Sequence, residues 1–227
     1  MQRPQRWART AGGLYLYIIA AGVFAEVVRS KLVVPDDAAA TAANIAANGT
    51  LFRLGFSAEL LHLAVDVIVA VLLYMLLRPV SRTVALIAAF MRLACAVILA
   101  GASIAHFAVL RVIDDPRTHE WAPALLDLHR DAYGIALVFF GFACVALGYL
   151  IYRSGFLPRT LGALLAIAGV CYLVASFANF LHPPFASLLF PAILLPAFIA
   201  ELALAGWLLV RGVDMNRWPH HDRGNNQ

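Results

Sequence analysis

Glu59, His62 and Asp66 lie three and then four residues apart inside an apolar run from Leu51 to Leu77. At about 100° per residue this spacing sets the three on one helical stripe about 60° wide. Carboxylates and imidazoles so arranged can exchange protons, ligate a divalent metal or act as counter-ions. A run of that length can cross a bilayer, and ionisable groups inside it must face protein or water and find partners.

Two more ionisable residues sit as deep in other apolar runs. Asp66 and Arg92 are each about thirteen residues from the turn centred between Pro79 and Val80. At 1.5 Å per residue both lie about 20 Å from that turn, near mid-bilayer. Antiparallel neighbours at equal depth are predicted to pair, either as a clamp on helix register or as a charge relay or substrate counter-ion. Glu201 follows Pro191 and Pro196, which are expected to kink its helix. If Glu201 also reaches Arg92, the core is a carboxylate–guanidinium–carboxylate triad with one excess negative charge or one protonated acid.

A second group is expected in the outer half of the membrane. Glu59 and His62 stand above Asp66, Ser103 and His106 continue the face of Arg92, and His129 and Tyr133 share a face four residues apart. Glu26, Asn179 and His182 end their runs on the same side. Together these residues predict a polar pocket opening outward, floored by the Asp66–Arg92 pair. Glu59, His62, His106 and His129 are the metal-ligand candidates by type. The chain contains no His-x-x-x-His or His-Glu-x-x-His, so spacing assigns no metal, and the sequence leaves any cofactor unassigned. Asp127, Arg130 and His182 read as interfacial residues, and His220-His221 as part of a solvated tail.

The elements that must position these residues follow from composition. The chain of 227 residues is 63% hydrophobic and 13% charged, with a mean hydropathy of +0.82, which demands a bilayer and excludes a soluble domain. The expected class is an all-α polytopic membrane protein with six spans, near 11–28, 51–77, 84–112, 124–152, 161–181 and 188–210. A short helix over 37–47, started by Asp36 and Asp37 and ended by Asn48-Gly49, is expected along the outer surface. Residues 212–227 read as a polar tail. The segment Val23-Phe24-Ala25 has the look of a signal-peptide cleavage site, but the long apolar part favours a retained first span.

With both ends on one side, that side carries ten basic residues (Arg3, Arg6, Arg9, Arg78, Arg82, Arg153, Arg159, Arg211, Arg217, Arg223) and the other five (Arg29, Lys31, Arg53, Arg111, Arg117). The positive-inside rule then makes both termini cytoplasmic. Basic residues between apolar runs are topogenic, which excludes nucleic acid as a partner. Cys95, Cys144 and Cys171 all fall inside spans and read as reduced thiols. Gly134, Gly141 and Gly148 repeat every seven residues, as do Gly162 and Gly169, so these faces predict close helix packing and offer a route to oligomerisation. The segments Leu73–Arg78 and Gly148–Arg153 echo one another, a pattern that aromatic belts and terminal arginines produce without duplication.

Several blocks carry a family likeness: Ala25-Glu26-Val27-Val28-Arg29-Ser30-Lys31-Leu32, Phe139-Phe140-Gly141, Tyr149 to Gly162, Phe177-Ala178-Asn179-Phe180 and Glu201 to Leu208. In these the chain resembles the bacterial "domain of unknown function 4386" membrane proteins, nearly to Asp214. The resemblance implies an inner-membrane protein and brings no reaction, so no catalytic residue is carried over. Seven-span metal hydrolases of the ceramidase and adiponectin-receptor type share the intramembrane setting, but their paired histidines and seventh span are missing here. Three functions are therefore expected to compete: binding or transport of a small amphiphilic or polar molecule, including a lipid; a membrane-embedded, metal-assisted hydrolase or transferase; or an accessory subunit of a membrane complex.

Overall fold

A computed structural model describes residues 3–34, 37–113, 117–189 and 191–219. The described residues form helices α1 (Arg3–Leu32), α2 (Ala38–Ala47), α3 (Gly49–Leu77), α4 (Arg82–Val112), α5 (Ala122–Ser154), α6 (Arg159–Leu181), α7 (Pro183–Leu189) and α8 (Leu195–Val210), with no strand among them. Six segments are long and apolar enough to cross a membrane: α1, α3, α4, α5, α6 and Ala192–Val210. The protein is thus an all-α, multi-pass membrane protein. Its outward faces carry the residues lipid would solvate, among them Phe90, Val97 and Ile104 on α4, each more than half exposed.

Local signals set the helix ends. The Ser81 hydroxyl accepts from the Val84 N–H at 3.4 Å and starts α4, and the Asp37 carboxylate accepts from the Ala40 N–H at 2.8 Å and starts α2. Asp36, the other expected starter, lies outside the described residues. Gly155, at φ 72°, closes α5 in a left-handed turn that an L side chain resists. The kink expected before Glu201 is a full break. Proline lacks the N–H that would bond back along the helix, so the run from residue 183 is divided into α7, a short 3₁₀ turn at Ala192–Leu194 and α8, with Pro196 in the first turn of α8.

The membrane-crossing helices close into a ring in which α1 packs on α3, α3 on α4, α4 on α5, α5 on α6, α6 on α8 and α8 on α1. The α5–α6 seam is drawn close by glycines on both helices. A Cβ on Gly148 would lie 2.6 Å from the Gly162 carbonyl oxygen, and one on Gly141 would lie 2.9 Å from that of Gly169. Backbone meets backbone there, so these glycine faces are occupied within the chain and are not free for another copy. Gly134 continues the seam at ordinary contact distance, against the Phe180 ring of α6.

The first and last described segments meet at one end of the ring. Gln5 Nε2 donates to the Arg211 carbonyl at 2.9 Å, and Gln5 Oε1 accepts from the Val213 N–H at 3.0 Å. The expected polar tail is docked as far as Trp218. The Asp214 N–H donates to the Phe156 carbonyl at 3.0 Å, and Val213 and Trp218 are buried beside Phe156. His220 and His221 lie outside the described residues. At the opposite, distal end, Val28, Leu32, Ile45, Phe52, Val109 and Leu126 form an apolar cap to which α2 contributes.

Candidate functional site

Two polar layers lie inside the ring. The deeper is built around Arg92, which is 1% exposed. Its Nε and Nη2 donate to Asp66 Oδ1 at 2.9 and 2.5 Å, the pairing that equal depth predicts. The guanidinium also stacks between aromatic rings, 4.7 Å from the Tyr15 centroid and 5.0 Å from that of Phe140. Arg92 Nη1 donates to the Tyr15 hydroxyl at 3.4 Å, which donates in turn to Glu201 Oε2 at 2.9 Å. The Tyr172 hydroxyl donates to Glu201 Oε1 at 2.5 Å. The expected direct Glu201–Arg92 contact is therefore replaced by a link through Tyr15, because α1 and its tyrosine stand between α8 and α4. Each of the six long segments supplies one member: Tyr15, Asp66, Arg92, Phe140, Tyr172 and Glu201.

About two helical turns above Asp66 along α3, some 10 Å at 1.5 Å per residue, lies the second layer. Glu59 Oε2 is 3.2 Å from His106 Nδ1, and Glu59 Oε1 is 3.4 Å from His129 Nε2. The Ser103 hydroxyl lies 3.2 Å from Glu59 Oε1 and 2.9 Å from the Leu99 carbonyl. His106 and His129 are buried and Glu59 nearly so. The three ligand-type atoms lie within 4.8 Å of one another. The His106 ring is boxed by the edges of Phe52 and Phe56, with centroids at 4.8 and 5.8 Å, and faces His129 at 4.8 Å. His129 Nδ1 is buried without a hydrogen bond among the described residues, although the ring faces the Ala102 carbonyl. Leu63, Cys95, Leu99 and Ala136 pack into an apolar cluster on these same helices, α3, α4 and α5.

The remaining candidates form no hydrogen bond to either layer among the described residues, although His62 stands within electrostatic reach of Asp66, Arg92 and Glu59. Half-buried His62 packs on α1, where a Cβ on Gly22 would lie 3.5 Å from its ring. Glu26 is exposed and pairs with Arg29 one turn away. Tyr133 is 38% exposed, and Asn179 is exposed on α6. Glu26 and Asn179 thus lie exposed, because spacing fixed their depth but not their side of the helix, whereas the Tyr133 hydroxyl is buried within electrostatic reach of Cys95. His182 accepts from the Phe185 N–H at 3.1 Å and caps α7, and Asp127 pairs with Arg130 on an exposed face, as interfacial residues should. Sequence reading missed Tyr15 and Tyr172. Their signal was depth: tyrosine belongs to membrane interfaces, yet each lies about two and a half turns or more from either end of its helix.

The family described as Domain of unknown function (DUF4386) matches residues 10–212. An uncharacterised protein of Archaeoglobus fulgidus is 33% identical over 152 residues, 67% of this chain and 80% of that protein. No solved structure matches. The family match spans every residue of both polar layers, and the chain belongs to the DUF4386 family.

Proposed function

We propose that this protein binds, and carries across the membrane, a small polar or amphiphilic molecule bearing a cationic group, admitted at the distal end. One observation carries the reading. The ring encloses three carboxylates, Glu59, Asp66 and Glu201, against one permanent cation, Arg92. With its histidines neutral the interior holds two surplus negative charges, and a low-dielectric setting demands protons or cations to offset them. The excess of basic residues at the end that carries the termini orients that end to the cytoplasm, so the distal end faces outward and the membrane is the plasma membrane. Glu59, His106 and His129 meet the solute first, and Asp66, Arg92 and Glu201 form the closed floor.

The test is thermal unfolding of the purified protein with choline, spermidine and alkylammonium ions of stepped chain length, beside carboxylates of matched size. A cation should raise the unfolding temperature, and Glu59→Gln or Glu201→Gln should remove the effect. Stabilisation by the carboxylates instead would reverse the reading. The convergence of Glu59, His106 and His129 favours a second one, a metal-assisted hydrolase or transferase acting within the membrane. That reading requires turnover of an ester- or amide-linked lipid that stops on chelation.

A further inference from the structure

We infer that Glu59, His106 and His129 form a three-ligand site for a divalent transition-metal ion of the zinc type, with one coordination position left for water or solute. The inference shares with the proposed function only the distal layer as a cation site, and names a metal dication, in place of an organic cation, as what offsets the two surplus charges.

Ligand chemistry comes first. Two imidazoles and a carboxylate suit zinc and its neighbours, and a tetrahedral ion held by three protein groups keeps a fourth position free. Geometry follows. Metal–ligand bonds of 2.0–2.1 Å give a tetrahedron whose ligand–ligand edges are about 3.3 Å. Glu59 Oε2 lies 3.2 Å from His106 Nδ1 and Glu59 Oε1 lies 3.4 Å from His129 Nε2, so the carboxylate offers one oxygen to each ring, and with one ligand atom taken from each residue no pair is farther apart than 4.8 Å.

The competing account is two neutral imidazoles donating N–H bonds to a carboxylate. N–H···O bonds of that kind lie at about 2.7–3.2 Å. The His106 contact, at 3.2 Å, sits at the long end of that range, and the His129 contact, at 3.4 Å, lies beyond it. The carboxylate is thus drawn less closely to its imidazoles than Asp66 is to Arg92, at 2.5 and 2.9 Å. The surroundings also suit a metal. Ser103 orients the Glu59 carboxylate, Phe52 and Phe56 fix the His106 ring, and the three ligands come from three rigid helices, α3, α4 and α5.

Cobalt(II), a spectroscopic stand-in for zinc, gives the test. Full-length protein stripped with a chelator should bind one cobalt ion per chain with the strong visible absorption of tetrahedral coordination, and zinc should displace it. His129→Ala and Glu59→Gln should each weaken binding by about 100-fold or more, while His182→Ala and the pair His220→Ala/His221→Ala leave it unchanged. His106→Cys gives a gain of signal that does not depend on how the loss variants fold: a thiolate-to-cobalt charge-transfer band arises if residue 106 ligates. Absence of that band, a weak octahedral spectrum, or binding lost only in the residue 220–221 variant would overturn the site. Should cobalt fail while choline or spermidine still stabilises the protein, the metal inference falls and the organic-cation reading stands. If cobalt binds and no organic cation does, the reverse holds.

Discussion

The deep layer and the distal layer use the same residue types toward different ends. Around Arg92 every charge is met at close range: two bonds to Asp66, two aromatic faces, and a tyrosine hydroxyl on each oxygen of Glu201. All six long segments contribute, so the network locks the ring. Around Glu59 the contacts are longer, three helices contribute, and His129 Nδ1 lacks a hydrogen bond among the described residues. Groups drawn to full contact from every element mark a clamp. Groups held near one another at ligand spacing mark a place for something else.

Substitutions should divide along that line. Arg92→Leu strands Asp66 in the interior and removes the donor behind Tyr15. Breaking a buried pair from one side costs about 3–5 kcal/mol, so unfolding in a fixed detergent should shift sharply downward. The double variant Arg92→Leu/Asp66→Leu should recover much of the loss, and failure to recover would show that the pair does more than hold the helices. Tyr172→Phe should cost less. It removes one hydrogen bond to a buried carboxylate, worth about 1.5–3 kcal/mol, and leaves the Tyr15 bond in place. Glu59→Gln should be mildest, below about 1 kcal/mol, because the amide keeps the shape of the carboxylate while the charge that would hold a ligand is gone. A Glu59→Gln protein as unstable as Arg92→Leu would make the distal layer a second clamp and erase the contrast.

Much of the deep layer was legible in the chain. Asp66 and Arg92 sit equally far from one short turn, and hydrocarbon leaves two such charges little choice but each other. The part played by Glu201 was only half legible, because depth says nothing of which neighbour stands between two helices. The distal layer was less legible still. Metal ligands are recognised by spacing within one helix, and these three come from α3, α4 and α5, with 47 positions between Glu59 and His106. The same limit explains Glu26 and Asn179, whose exposure follows from how their helices are rotated in the ring.

Sequence by itself determined that the protein is helical, that it crosses the membrane six times, and that Asp66 and Arg92 share a depth. Those facts follow from hydropathy, run length and rise per residue, which are local and additive. Only the tertiary structure decided that the helices close in a ring, that Tyr15 joins Arg92 to Glu201, that the glycine faces of α5 and α6 satisfy each other, and that Glu59 meets two histidines. These outcomes depend on the rotation of each helix about its own axis. That rotation is fixed by all its neighbours at once, and no single stretch of sequence encodes it.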